Sequence, residues 1–218
     1  MPVTEPPRYP GYDVLAKRDT PSWDAVTRRV IDERLATQDT PRFFTKEEWD
    51  AADALCRRIV PQPGEADAVS LAALLDAKLL ADHGAGFREA DMPYMREAWR
   101  RALSALDGEA RAQNNGRGFA ELSDKEQDAL LLAMQRGEIS GERWAGIDAK
   151  SFFERRILVD VPPLYYGHPK AWNEIGFGGP ASPRGYVRLD GNRPDPWEAI
   201  EASPRQQAKA ERENRRVV

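Results

Sequence analysis

The sequence is poor in the residues that bind metals and form disulfides. Its 218 residues include one cysteine, Cys56, and two histidines, His83 and His168. A single cysteine cannot form an internal disulfide, and so few ligands cannot build a zinc site or an iron–sulfur cluster. The Cys-x-x-Cys-His motif of c-type haem attachment is also absent. We therefore expect no cofactor and no metal on this chain, so that any redox cofactor acting with it lies on another polypeptide.

Further absences limit where the protein acts. The formal net charge of -4 excludes the basic face of a nucleic-acid-binding protein, and no run of about 20 apolar residues could span a membrane. The opening MPVTEPPRYPGYDVL lacks a charged segment followed by an apolar core, and Arg28-Arg29 lies inside a helical pattern. We expect no export signal on this chain, which is then cytoplasmic, or periplasmic by co-export with a partner.

No pattern predicts a complete catalytic site. No serine lies in a Gly-x-Ser-x-Gly turn. The glycine run Gly176–Pro180 has no strand before it and a proline where a helix would begin, so it is not a dinucleotide-binding loop. We interpret its glycines as positions for tight turns or close backbone approach. One alternative stays open, a stand-alone enzyme in which His168 works with Tyr165 or Tyr166.

What the sequence does contain is helical periodicity. With 41% hydrophobic residues the chain can bury a core. Thr45 with Glu48, and Ser123 with Glu126, form capping boxes that predict helix starts. Other helix starts are expected at Ser22, Asp67, Pro93 and Asp148. No strand alternation is evident, so we predict an all-α fold, a compact helical bundle with a long irregular C-terminal arm rich in proline, glycine and aromatic residues.

The pattern also predicts which side chains are buried. In the first helix Trp23, Val26, Val30 and Leu35 form the expected apolar stripe. Cys56 falls on the apolar face of its helix, which favours a core residue over a reactive thiol. Asp76 is interpreted as a solvated charge. The tryptophans at 23, 49, 99 and 144 are expected in the core.

Composition divides the chain into four segments. Residues 1–21 are rich in proline and predict an extended arm. Residues 22–160 are the helical bundle. Residues 161–202 combine prolines, glycines and aromatic residues, which predicts an irregular docking arm. Residues 203–218 form a basic tail, expected to be solvated or a fraying helix.

Two blocks of the sequence resemble a known family. The first runs from Phe43-Phe44-Thr45 to Ile59-Val60-Pro61, followed by Pro63-Gly64-Glu65-Ala66 and Leu74-Leu75-Asp76; the second comprises Phe152-Phe153, Tyr166-Gly167-His168-Pro169, Trp172 and the run from Ile175 to Pro180. In this order and spacing, over roughly residues 43–182, the chain resembles the gluconate 2-dehydrogenase subunit 3 family.

The resemblance implies a small subunit without chemistry of its own. Its partner would be a glucose–methanol–choline type flavoprotein that holds FAD, and in many such systems a cytochrome c takes the electrons onward. The small subunit would support maturation, stability and export of the flavoprotein. Two features depart from the family: the twin-arginine signal is missing, and His168 stands where the family has aspartate, with the following stretch shortened to Lys170-Ala171.

The aromatic arm from Tyr165 to Tyr186 is the expected contact with the flavoprotein, with Trp172 and Phe177 as buried anchors. The predicted interface residues are Tyr165, Tyr166, Gly167, His168, Pro169, Trp172, Asn173, Gly176, Phe177, Gly178, Gly179, Pro180 and Tyr186. Two alternatives stay open beside a permanent subunit and the stand-alone enzyme. The aromatic arm could cover the chain's own core, or the protein could be a chaperone that leaves after its partner matures.

Overall fold

The computed structural model describes residues 7–62, 68–82, 90–139, 141–182, 185, 191 and 195–217. These residues form helices and no strand, which confirms the predicted all-α class. The α-helices are α1 (Ala25–Leu35), α2 (Lys46–Ile59), α3 (Leu71–Ala81), α4 (Met95–Gln113), α5 (Asp124–Arg136), α6 (Ala149–Phe152), α7 (Leu158–Tyr166), α8 (Pro169–Ile175) and α9 (Gln207–Asn214). Short 3₁₀ helices span Val14–Lys17, Phe119–Glu121 and Glu142–Trp144, and a π-helical turn spans Phe153–Ile157. No helix among the described residues is both long and apolar enough to cross a membrane.

The chain divides into two compact units. Thr37–Tyr165 forms the first, here called the central unit. Met1–Ala36 and Tyr166–Val218 together form the second, here called the terminal unit. The composition of the sequence places the two ends of the chain in different segments. In the structure, contacts between these ends place them in the same unit.

Side-chain caps begin three helices where the sequence predicts them. Thr45 and Glu48 form the capping box of α2, with both hydrogen bonds present. Ser123 with Glu126 does the same for α5, and the Asp148 carboxylate accepts from the Ser151 amide at 2.7 Å at the start of α6. Each cap satisfies amide groups that the first helical turn leaves without partners.

Two helices begin elsewhere. The cap of α1 is Asp24, which accepts from the Thr27 amide at 2.8 Å, and not Ser22. The cap of α3 is Ser70. The predicted cap Asp67 lies outside the described residues.

Aromatic and aliphatic side chains from most of its helices fill the core of the central unit. Trp99 is fully buried and meets the Phe152 ring edge-on, with centroids 5.2 Å apart. Trp144 is also buried, as predicted, whereas Trp49 is only half-buried. Cys56 is buried on the inner face of α2, which confirms its assignment to the core. Burial raises the pKa of its thiol far above the usual value, which leaves it unreactive.

Asp76 is a structural residue and not a solvated charge. Its carboxylate is 1% exposed. It accepts hydrogen bonds from the backbone amides of Arg42, Phe43 and Phe44, at 3.0, 2.9 and 2.9 Å. A buried carboxylate is tolerated because these three donors replace its water shell. The contact fixes the chain just before α2 against α3.

Asp160 is a second buried carboxylate of the central unit with a structural role. Only 2% exposed, it accepts from the Lys78 ammonium and from the Trp99 indole, both at 2.8 Å. Arg156 lies 3.8 Å away as a second cation. These partners join α3, α4 and α7 at one buried charge.

The terminal unit has a separate core. Six buried side chains form it, and they are Tyr12, Val14, Trp23, Ile31, Trp172 and Val217. Residues from the proline-rich N-terminal stretch thus pack beside residues from the other end of the chain. A backbone of this kind, poor in regular structure, depends on such packing for its order.

The predicted basic tail is folded over much of its length. Residues Gln207–Asn214 form α9, and Asn214 is 1% exposed. Its side chain accepts from the Ile200 amide at 2.7 Å and donates to the carbonyls of Ile200 and Pro10 at 2.9 and 3.0 Å. One buried side-chain amide therefore joins the two ends of the chain. The basic net charge of residues 203–218 gave no indication of this contact.

Helix α1 turns a neighbouring face to the core, and not the one predicted. Val26, Val30 and Leu35 are exposed, by 58%, 44% and 41%, while Thr27 and Ile31 are buried. Apolar side chains occur on both sides of α1, so the pattern alone does not select the buried one.

The segment predicted to be irregular from residue 161 is helical at its start. Helix α7 continues through Pro162 and Pro163 to Tyr166, and α8 follows after two residues. The preceding π-helical turn changes the register of the helix, so Phe153 and Ile157 are buried but Leu158 is 42% exposed. Proline weakens a helix, and its packing here outweighs that preference.

Replacing Asp76 with asparagine should lower the free energy of unfolding by about 1–3 kcal/mol, because an amide group would face backbone donors and leave one unpaired. Urea denaturation followed by circular dichroism measures the change. Asp50→Asn is the control, since within the described part of the chain Asp50 pairs with the exposed Lys46 at 2.7 Å, and losing this pair should cost less than about 1 kcal/mol. Equal losses for both variants would contradict the role assigned to Asp76.

Candidate partner interface

The predicted interface residues begin at the end of α7 and continue through α8. Tyr165 is buried, whereas Tyr166 is 53% exposed. The Gly167 carbonyl accepts a hydrogen bond from the Arg34 guanidinium. His168 is the N-cap of α8, and its Nδ1 atom accepts from the Lys170 amide at 3.2 Å. Pro169, buried at the first helical position, suits a place where no amide donor is needed.

His168 serves as a cap in this arrangement. Its Nδ1 atom already accepts the Lys170 amide proton, so this nitrogen is engaged in the cap. Burial lowers the pKa of His168, and the nearby charges of Arg34 and Lys170 lower it further. The lowered pKa favours the neutral form of His168, which is the form whose Nδ1 atom can accept the Lys170 amide proton.

Trp172 belongs to the chain's own core. Its side chain is 4% exposed and lies in the cluster that contains Trp23. Its indole nitrogen donates to the Tyr166 carbonyl at 2.7 Å, and its ring meets Phe177 edge-on at 5.6 Å. The position of Trp172 thus fits the alternative in which the aromatic arm covers the chain's own core. Its ring packs against that of Phe177.

Asn173 attaches α8 to the N-terminal stretch. Its Oδ1 atom accepts from the Val14 amide at 2.8 Å, and its Nδ2 atom lies 3.4 Å from the Asp13 carboxylate. Asp13 in turn caps the 3₁₀ helix that begins at Val14. The contact uses both ends of the amide, which explains why an amide side chain suits this position.

The glycines permit the close backbone approach predicted for them. Gly176 has φ +69°, and a Cβ atom there would lie 2.5 Å from the Tyr9 ring. Gly179 has φ +72°, and its Cβ would meet Val14 at 3.0 Å and Trp23 at 3.2 Å. Positive φ and lack of space both require glycine.

Lys17 is the polar residue that sequence reasoning missed in this region. It is fully buried, and its ammonium donates to the Tyr12 hydroxyl and the Gly178 carbonyl, both at 3.1 Å, and to the Trp197 carbonyl. An ammonium group has three donors, and these oxygens match them. Lysine is rarely buried, so nothing in the sequence marks this one.

Three apolar side chains of this region remain available to a partner. Tyr166, Ile175 and Phe177 are exposed by 53%, 46% and 40%. Ile175 was not among the predicted interface residues. Gly178 and Pro180 are half-buried, and Tyr186 lies outside the described residues.

A cavity of about 940 Å³ lies elsewhere, in the central unit. Its lining includes Asp53, Arg57, Arg58 and Asp124. These charges pair among themselves, Arg57 with Asp53 at 2.9 Å and Arg58 with Asp124 at 2.6 Å. Within the described residues no group of three or more His, Cys, Asp or Glu side chains could hold a metal ion.

Comparison with known families agrees with the two sequence blocks. The family model described as Gluconate 2-dehydrogenase subunit 3 matches residues 46–179, more than half of the chain. The chain is a dehydrogenase subunit by class, and it belongs to the gluconate 2-dehydrogenase subunit 3 family. The predicted resemblance is thereby confirmed. Searches among curated proteins and among solved structures found no match.

Gly176→Ala should destabilise the protein by about 1–3 kcal/mol more than Gly116→Ala, because overpacking adds to the backbone strain. Both glycines have positive φ, +69° and +83°, but no described atom lies within 4 Å of a Cβ at Gly116. The comparison therefore isolates the contact with Tyr9. Thermal unfolding of the two variants measures it, and equal melting temperatures would contradict the packing described.

Stability should also fall as pH drops below about 6.5, the usual pKa of histidine. The folded-state pKa of His168 is lowered, so the unfolded chain takes up its proton first and folding loses free energy as pH falls toward the folded value. Above pH 6.5 the contribution is complete. In His168→Asn, which keeps an acceptor at the cap, the melting temperature should vary less between pH 5 and 7. Identical pH profiles for the two proteins would refute this.

Proposed function

We propose that this chain is a non-catalytic accessory subunit of a flavin-dependent dehydrogenase. The partner is a glucose–methanol–choline type flavoprotein that holds FAD and oxidises a sugar, a sugar acid or an alcohol. The accessory chain binds it and supports its maturation and stability, and a cytochrome c is a candidate third member. Family membership supports the proposal, since the family description names a subunit of a dehydrogenase.

The observation that carries the proposal is the exposed ring of Phe177. It is 40% exposed although its backbone is held on both sides. Its carbonyl accepts from the Tyr12 hydroxyl at 3.3 Å, and the next carbonyl, of Gly178, accepts from Lys17. A side chain mounted on a fixed backbone loses little entropy on binding. Exposed aromatic residues of this kind are frequent anchors of protein interfaces.

Buried and exposed residues of this region have different roles in this proposal. Trp172 supports the segment from inside the terminal unit. Phe177, Ile175 and Tyr166 make the contact with the flavoprotein. A permanent subunit and a chaperone released after maturation both use this surface, and the ratio of chains in the active enzyme distinguishes them.

Co-expression with a candidate flavoprotein tests the proposal. Pulling down this chain should retain a yellow complex with dehydrogenase activity, measured by flavin absorbance and dye reduction. Phe177→Asp should reduce the retained flavin at least tenfold, since losing an interface anchor costs about 2 kcal/mol or more. Val30→Asp is the control, because Val30 is exposed to a similar extent, 44%, outside this segment.

The outcomes separate the alternatives. A colourless wild-type eluate, or activity from the purified chain alone, would overturn the accessory role. Equal losses for Phe177→Asp and Val30→Asp would place the contact elsewhere. A complex that forms during expression but contains little of this chain in the active enzyme would favour the released chaperone.

A further inference from the structure

Helix α8 begins at a side chain that can lose its acceptor. His168 is the N-cap residue, and its Nδ1 atom accepts from the Lys170 amide at 3.2 Å. A neutral imidazole has one nitrogen that accepts a hydrogen bond, whereas both nitrogens of an imidazolium are donors. The caps of α1, α2 and α3 are Asp24, Thr45 and Ser70, which keep their acceptors over the pH range in which histidine titrates. The start of α8 therefore depends on the protonation state of its cap.

The surroundings of His168 make its protonated form costly. Burial lowers the pKa of His168, and the charges of Arg34 from α1 and Lys170 from α8 lower it further. Arg34 also donates to the carbonyl of Gly167, the residue directly before the cap. Protonation thus removes the acceptor of the cap and places a third cation beside two others.

Backbone hydrogen bonds connect this cap to the exposed ring of Phe177. The His168 carbonyl accepts from the Trp172 amide at 3.3 Å, and the Trp172 carbonyl accepts from the Phe177 amide at 2.9 Å. The rings of Trp172 and Phe177 also meet edge-on, with centroids 5.6 Å apart. Helix α8 has seven residues, and helices shorter than about 12 residues have little stability of their own. Its order depends on its ends and its packing, so loss of the cap loosens the segment that holds Phe177.

We propose that protonation of His168 opens the cap of α8 and thereby weakens the contact of Phe177 with the flavoprotein. The inference rests on the proposed accessory role and adds to it a control of the same surface by acid. His168 acts in it as a positioning residue, because it sets the order of α8 and does not itself touch the partner.

The effect of pH on binding has a defined direction. The capped form that holds Phe177 contains neutral His168, and the loosened form takes up a proton near the usual histidine pKa of about 6.5. Binding is therefore complete above about pH 6.5 and falls as pH decreases toward the lowered pKa of the capped form.

The co-expressed complex tests the proposal. It is captured through this chain at about pH 7.5 and washed at about pH 5.5, on either side of the histidine pKa. The flavoprotein polypeptide that remains is quantified on a gel, so that flavin lost from the partner does not enter the measurement. His168→Asn is the matched control, since asparagine keeps an acceptor at the cap and does not titrate. The wild type should lose at least about threefold more flavoprotein than this variant.

Lys170→Gln gives a second readout. It removes one of the two cations near His168, which makes protonation easier, so the midpoint of release should move to higher pH. A purely structural role of Lys170 would change retention at every pH and leave the midpoint where it is.

Each result decides the question. A larger loss for the wild type than for His168→Asn supports the proposal, and identical pH profiles overturn it while the accessory role stands. If His168→Asn already fails to retain the flavoprotein at the higher pH, the Lys170→Gln midpoint decides, and an unchanged midpoint overturns the proposal. A wild-type chain that retains no flavoprotein at the higher pH removes the accessory role and this inference together.

Discussion

The terminal unit depends on the burial of one ammonium group. Lys17 is fully buried, and hydroxyl and carbonyl oxygens that accept from its ammonium replace its water. These oxygens belong to Tyr12, Gly178 and Trp197, which lie far apart in the sequence. The bond to Gly178 places its carbonyl oxygen 3.1 Å from the ammonium. Closing these long loops costs conformational entropy, and packing around Trp172 offsets that cost.

Both blocks that identify the family have structural explanations in this chain. In the first block, Asp76 binds the amides of Phe43 and Phe44, and the Thr45 capping box follows directly. In the second, the glycines make room for the N-terminal stretch. The shared pattern is therefore a pattern of architecture. The exposed residues between the fixed ones are then the places to look for function.

Local rules predicted the parts of the fold that depend on local chemistry. The caps at Thr45, Ser123 and Asp148 follow from hydrogen bonds within four residues, and they were confirmed. The burial of Asp76, Lys17 and Asn214 depends in each case on at least one partner more than 30 residues away in the sequence, which no short pattern reveals. Helix α1 was assigned the wrong buried face because it carries apolar residues on both sides. The interface stays a prediction, and within it the sequence could not separate buried Trp172 from exposed Phe177, since both are aromatic.

The two units have one structural feature in common. In each, a buried charged group, Lys17 or Asp160, fixes a backbone whose neighbouring apolar side chains stay exposed. Exposed apolar groups carry a risk of aggregation, and a chain with 31% charged residues has ample polar side chains to place there instead. Rigid support also prevents these side chains from folding back into a core. A surface that is both apolar and ordered gains stability when another surface covers it.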